Sequence, residues 1–462
     1  MSFRDILTNL PEVQGPTQKK LQFNEKLKWT LIVLLLFFVL GGITLYGLDP
    51  QSQFQFEQLE IILGAKFGSI ITLGIGPLVT ASIVLQLLVG AGIMKLDLTK
   101  DEDKAFFQGL QKAASIFFIL FEGFIYVFMG GLNPPAALVG TSQYNLFRIL
   151  LVGQLFIGGF LIMFLDEVMS KWGFGSGISL FIAAGVAQEL FTQLFSPLKV
   201  AATDTYMIGA VPVVIQALSS QDIATVMIKM AAVIATIAVF AMAIFGQAMK
   251  VEIPLSFGRV RGQGIRWPLN FIYTSNIPVI LVSAFMANIQ LWARLLQNWG
   301  YPLLGKFTGN TPISGLVMWI NSPNVVDKLI KGSLTSFDIT HALVYMLFMV
   351  VGAVIFSIFW VQTSGMDAKS QAKNMISSGL QIPGFRRDER ILETILNRYI
   401  MPLTVMGAIF VGILAALADT TGSLTRGTGI LLAVMIIYKL YEDIARQHMM
   451  DMNPLLRKFM KQ

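Results

Sequence analysis

Ten apolar runs, each eighteen residues or longer, divide this chain: Trp29–Gly47, Ile70–Ile93, Ala105–Met129, Leu146–Leu165, Ser176–Phe195, Ala224–Met249, Leu269–Leu296, Thr340–Val361, Ile400–Ala418 and Thr428–Ala445. At 1.5 Å per helical residue, runs of this length match a hydrocarbon core about 30 Å thick. In lipid every backbone polar group must be satisfied internally, so such runs can only be helices. With 55% apolar and 13% charged residues among 462, and a mean hydropathy of +0.67, the composition is that of a polytopic membrane protein. The expected fold class is therefore all-α, with ten transmembrane helices.

An even number of spans places both termini on one side. Connections on the side of the amino terminus hold 23 Lys and Arg, and those on the opposite side hold 6. The asymmetry orients both termini to the cytoplasm of a cell-membrane protein and accounts for the net charge of +7 without nucleic acid. Lys112, Arg148, Lys229, Arg294 and Lys439 fall inside spans, mostly near their ends, where long side chains can snorkel. Residues 1–28 form a cytoplasmic segment, in which Phe3, Ile6, Leu7 and Leu10 have the spacing of a short interfacial helix. The first five spans occupy 29–195, the second five 224–445, and 446–462 form a cytoplasmic tail. The first long apolar run, from Trp29, spans rather than acting as a cleavable signal.

Before the second span lies a shorter helical length, Phe54 to Phe67, carrying Phe54, Phe56, Leu59, Ile61, Ile62 and Leu63. Its fourteen residues would reach about 21 Å, too little to cross. Gly64, Gly68 and Gly74-Ile75-Gly76-Pro77 then permit a sharp change of direction. Non-helical backbone at membrane depth is tolerated only where protein or a water-filled cavity shields it, so this break points to a pore. The seventh span echoes the second: Ile277-Pro278-Val279-Ile280 matches Gly76-Pro77-Leu78-Val79, with the prolines 201 residues and five spans apart. An odd number of spans per repeat inverts the second copy, and inverted halves hold a pathway between them.

Ile75, Val79 and Ile83 recur every four residues on one helix face, and Ile178 and Ile182 do the same in the fifth span. Spacing alone allows packing or lipid contact. Thr72, Thr80, Ser82 and Gln86 surround the first row, however, as suits an apolar constriction in a wetter channel. Glu122 is the clearest ionisable group deep in a span; it can serve as a hydrogen-bond partner within the bundle or as a proton relay. With no cysteine, and His341 and His448 far apart, thiol chemistry and a histidine metal cluster are not expected. No HExxH or Gly-x-Ser-x-Gly occurs, and no cofactor is implied. Gly300 to Lys306 has phosphate-loop spacing, but Phe307 stands where the metal-binding hydroxyl belongs. The chain does not read as an enzyme; a secondary transporter with inverted repeats is the competing class.

Four stretches resemble the SecY family of protein-conducting channel subunits: Gly74-Ile75-Gly76-Pro77, Gln86-Leu87-Leu88-Val89-Gly90, Lys250-Val251-Glu252-Ile253-Pro254 and Ser275-Asn276-Ile277-Pro278-Val279-Ile280. The likeness is greatest to archaeal members and includes Phe23-Asn24-Glu25-Lys26-Leu27-Lys28-Trp29-Thr30. It implies two inverted five-helix halves around a central pore that passes secretory polypeptides and releases transmembrane segments into lipid. The plug would be 54–67 (Phe54, Phe56, Leu59, Ile62, Leu63). The pore ring would be Ile75, Val79, Ile83, Ile178, Ile182, Ile280 and Leu432. Thr80, Glu122 and Asn288 would bridge a lateral gate between the second and third spans and the seventh and eighth. The long connections 250–268 and 363–399 would dock a ribosome through Arg259, Arg261 and Arg386, whose planar forks suit phosphate. Implied partners are also a small single-span SecE-type subunit, a Secβ-type subunit, signal sequences and lipid.

Overall fold

The computed structural model describes residues 10–17, 21–49, 68–90, 93–94, 96, 101–128, 132–199, 206–257, 264–275, 277–308, 311–377, 380–381, 388–425 and 427–452. The interfacial helix expected before Leu10 and the half-length helix 54–67 lie outside them. Ten helices answer the ten expected spans: α1 (Phe23–Gly42), α2 (Gly76–Gly90), α3 (Asp101–Phe128), α4 (Ser142–Trp172), α5 (Gly177–Phe195), then, after the short α6 (Ala210–Ser219), α7 (Ile223–Ala248) and α8 (Ile277–Asn298). Two further short helices, α9 (Leu316–Trp319) and α10 (Val325–Ile330), precede α11 (Ser336–Thr363), α12 (Ala368–Ser377), α13 (Glu389–Thr420) and α14 (Gly427–Met452). Among the described residues, seven of these helices are long and apolar enough to cross a bilayer by length and composition alone. The others include α2, which at 15 residues is shortened by the turns before it.

The apolar runs misplace some boundaries. The second span becomes helical only at Gly76, because 68–75 form successive tight turns. The seventh begins at Ile277 rather than Leu269, since Leu269 and Asn270 belong to a strand, β2 (Gly264–Asn270), paired antiparallel with β1 (Lys250–Phe257). Hydropathy averages over such a strand; its period-2 alternation (Ile265, Trp267, Leu269) is what distinguishes it. A second hairpin joins β3 (Gly305–Thr308) to β4 (Thr311–Gly315), so Lys306 sits on a strand and not in a phosphate-binding loop before a helix.

The packing order is the same in both halves. In the first, α2 packs on α3, α3 on α4, α1 on α4, α4 on α5 and α1 on α5. In the second, α8 packs on α11, α11 on α13, α7 on α13, α13 on α14 and α7 on α14. Each pair of the first list has its counterpart in the second, which is the structural form of the five-span repeat. Each half has its own apolar core, around Leu151, Leu155 and Ile119 in one and Val282, Met349 and Leu414 in the other. A third cluster joins the halves where α5 meets α14, and a fourth holds the β1–β2 hairpin and α12 against the start of α13.

Three of the charges within the spans find local partners. Lys112 pairs with Glu167, and the Arg148 guanidinium lies 4.6 Å from the Tyr144 ring centroid. That of Arg294 lies 4.8 Å from the Phe307 ring.

Candidate functional site: an apolar collar beside a polar-edged cavity

Three identical devices set the start of α2 and of α8. Gly74 (φ +54°) and Ser275 (φ +57°) both take the left-handed conformation three residues before Pro77 and Pro278. Each closes a tight turn: the Gly74 amide donates to the Ile71 carbonyl at 2.9 Å, and the Ser275 amide to that of Ile272 at 3.1 Å. Seven residues before each proline, a carbonyl abuts a glycine of a long helix. A Cβ on Gly158 would fall 1.7 Å from the Ile70 oxygen, and one on Gly407 2.7 Å from the Phe271 oxygen. The broken segments of both halves are thus seated against α4 and α13 by backbone contact.

These turns aim the first residues of α2 and α8 at the seam between the halves. Of the seven residues expected to line the constriction, six belong to one apolar cluster: Ile75, Ile182 and Leu432 are at most 2% exposed, and Val79, Ile178 and Ile280 pack against them. They come from four helix starts in two halves. The seventh, Ile83, lies one turn further along α2 and lines a cavity together with Ile75, Val79 and Ile280.

That cavity, of about 500 Å³, is bounded by α2 and α3 of the first half and by α8 and Phe356 of α11 in the second. Thr80, Glu122 and Asn288 all line it, so the three residues expected to form one polar cluster share one space. The Thr80 hydroxyl lies within hydrogen-bond reach of both the Glu122 carboxyl and, at 2.9 Å, the Gly76 carbonyl. The rest of the lining is apolar, with Phe118, Phe121, Phe285 and Trp292 among it. A lining this largely apolar suits an apolar occupant.

Not every expected residue falls at the site. Thr72 is buried and spends its hydroxyl on the Ser69 carbonyl at 2.5 Å, so it shapes the turn. Phe54, Phe56, Leu59, Ile62, Leu63, Arg259, Arg261 and Arg386 lie outside the described residues. The short antiparallel link Thr44–Ser69 fixes the two chain ends that flank 50–67. Apolar periodicity missed Asp166 and Asp419, polar residues that hold the starts of α5 and α14. Their signal was an acid shortly before a glycine that opens an apolar run.

Comparison with known proteins bears on the family and the fold. The family model described as SecY matches residues 69–441, and one described as the plug domain of Sec61p matches 35–68. The protein translocase subunit SecY of Methanothermobacter thermautotrophicus is 45% identical over 462 residues, covering 99% of this chain and 98% of that protein. A solved structure described as that of a protein conducting channel superposes with a TM-score of 0.82 at 40% identity, covering 98% of this chain and 99% of the other. One described as Sec61 in the canine ribosome–channel complex from the endoplasmic reticulum gives 0.79 at 38% identity, covering 98% and 99%. With near-complete coverage in sequence and in fold, the chain belongs to the SecY family.

Proposed function

We infer that this chain is the pore-forming subunit of a protein translocation channel, a multi-pass membrane protein that passes secretory polypeptides across the bilayer and releases transmembrane segments sideways into lipid. It is a channel and not an enzyme. The observation that carries the reading is a single one: an apolar collar built from both halves opens onto a cavity that also spans both halves.

The collar of Ile75, Val79, Ile83, Ile178, Ile182, Ile280 and Leu432 acts by exclusion. Branched apolar side chains offer water and ions no hydrogen bonds, so a narrow ring of them is costly to wet, yet it closes around a threaded chain without binding it. Residues 54–67 plug what the ring leaves open. The cavity edged by Thr80, Glu122 and Asn288 is the lateral gate, with Glu122 a hydrogen-bonding partner rather than a relay. An arriving signal sequence competes with the packing of α2 and α3 on α8 and α11, and shifts the gate towards its open state by as much as it binds that state better.

Both termini face the cytoplasm of the cell membrane, on the strength of the charge asymmetry. The connections around Arg259, Arg261 and Arg386 then lie on the ribosome's side and dock it through RNA phosphate. A SecE-type single-span subunit and a Secβ-type subunit complete the assembly. In planar bilayers, deleting 54–67, or the exchange Ile83→Asn with Ile182→Asn, raises ion leakage through the idle channel about tenfold or more. Unchanged conductance in both would exclude the exclusion mechanism.

A further inference from the structure

The helices that bring Ile178, Ile182 and Leu432 to the collar begin in the same unusual way. Helix α5 opens at Gly177 and α14 at Gly427; Ile182 and Leu432 each stand five residues further on. In both, the first turn is held by a carboxylate from the end of the preceding long helix. Asp166 of α4 accepts the Ile178 amide at 2.9 Å and also the Gly177 amide. Asp419 of α13 accepts the Gly427 amide at 2.7 Å, while its other oxygen takes the Tyr345 hydroxyl of α11 at 2.6 Å.

Because α4–α5 and α13–α14 are counterparts in the inverted repeat, the two carboxylates approach the collar from opposite faces of the membrane. Each stands about 7.5 Å of helix from its collar residue, at 1.5 Å per residue. The glycines are required by this closeness. A Cβ on Gly177 would lie 2.7 Å from Asp166 Cα, and one on Gly427 would lie 2.2 Å from Ala418 Cβ. Ser176, which stands at the cap position of α5, makes no side-chain capping bond, so the cap is supplied by Asp166 instead.

We propose that Asp166 and Asp419 are positioning residues of the channel: a pair of carboxylate staples, one in each half, that fix the axial height and rotation of the two collar helices. Free amides and the positive helix end favour an anion there. A carboxylate fixed on a neighbouring helix holds α5 and α14 against sliding along their axes. A slide of one residue moves Ile182 or Leu432 by 1.5 Å and rotates it by about 100° out of the collar. Through Tyr345, the second staple also ties the collar to α11, a wall of the cavity.

This inference rests on the collar reading given above, and its test separates the two. In purified channel complex in planar bilayers, Asp166→Ala and Asp419→Ala should each raise idle ion leakage about tenfold, the order expected when one charge-assisted hydrogen bond is lost from the closed state. The Asp→Asn variants keep an acceptor oxygen in place and should restore the seal to within about twofold of the unaltered channel. Leakage from Ile182→Asn with a tight seal in both alanine variants would leave the collar standing and remove the staples. Equal leakage from Asn and Ala variants would also overturn the proposal, because geometry would not be what matters. Should an alanine variant fail to accumulate, amide exchange in the unaltered protein decides. The Ile178 and Gly427 amides should exchange at least tenfold more slowly than the first-turn amides of α4, whose cap Thr141 turns its hydroxyl to the Leu138 carbonyl and makes no side-chain bond to them. Equal exchange would overturn the proposal.

Discussion

A glycine in a transmembrane helix usually marks a close approach, and Gly158 and Gly407 show what each approach is for. Both admit a carbonyl of the turn that launches a broken helix, seven residues before Pro77 and Pro278. Gly158→Ala places a methyl on the Ile70 oxygen, so α4 and the turn must separate; overpacking of this kind costs about 3 kcal/mol. Gly407→Ala meets its carbonyl at a longer distance and should cost about 1 kcal/mol. In detergent, the melting temperature of the complex should fall in both, and further in Gly158→Ala. Ser275 poses the opposite case. It holds a left-handed conformation that its counterpart position fills with Gly74, so Ser275→Gly should raise the melting temperature slightly, by relief of about 1 kcal/mol. A fall instead would mean that the Ser275 side chain contributes more than its backbone strain costs.

At the scale of elements, the extended stretch 10–17 is held to the end of α4 by a compact set of bonds. The Val13 amide donates to Glu167 at 2.9 Å, Lys171 donates to the Val13 carbonyl at 2.6 Å, and Trp172 Nε1 donates to the Gln14 carbonyl at 2.9 Å. Lys171 also pairs with Glu12, and its hydrogen bond holds the Glu12 carboxyl below the usual carboxylate range. A depressed carboxylate contributes stability above its unfolded value of 4.5 and loses it as pH falls through the lower folded value. Protease resistance of 10–17 should therefore weaken in acid below pH 4.5. The loss is partial, because Glu12 is exposed and such pairs are worth about 1 kcal/mol or less, while the backbone bonds persist. Lys171→Ala removes both kinds of contact and should release the stretch at neutral pH.

These elements also show what could be read in advance. Helices α3, α4, α5, α7 and α11 lie close to their apolar runs, because lipid leaves one backbone solution and the hydropathy of a span is hard to imitate. The start of α8 was misread, because a strand ending in Leu269 and Asn270 is as apolar as a helix. Helices α12 and α6 were missed, being short and carried by tertiary packing rather than by a spanning signal. The collar was legible in part: Ile75, Val79 and Ile83 share a face by spacing, but only the resemblance brought Ile280 and Leu432 to them. Asp166 and Asp419 left only the sign of an acid ahead of a glycine that opens an apolar run, because a carboxylate's value lies in which amide it meets.

For the whole molecule, the decisive feature is that the two seams between the halves differ. Where α5 meets α14, the seam is filled by the collar cluster, with Val186 and Ile436 among its members. Where α2 and α3 face α8 and α11, it holds the 500 Å³ cavity instead. Close packing forfeited over that space makes this seam the weaker of the two, and a molecule with two seams opens at the weaker one. The other is then expected to act as the hinge about which the inverted halves swing as rigid bodies. The chain has no cysteine, so the asymmetry can be tested with introduced pairs alone. Thr80→Cys with Asn288→Cys, bridged by a short bifunctional thiol reagent, should block insertion of transmembrane segments by tenfold or more, and a cleavable bridge should restore it. Val186→Cys with Ile436→Cys, bridged in the same way, should leave insertion within about twofold, because a hinge loses little when its two sides are tied. The opposite pattern would move the exit to the α5–α14 seam. Equal inhibition by both bridges would mean that the halves separate as a whole rather than swing.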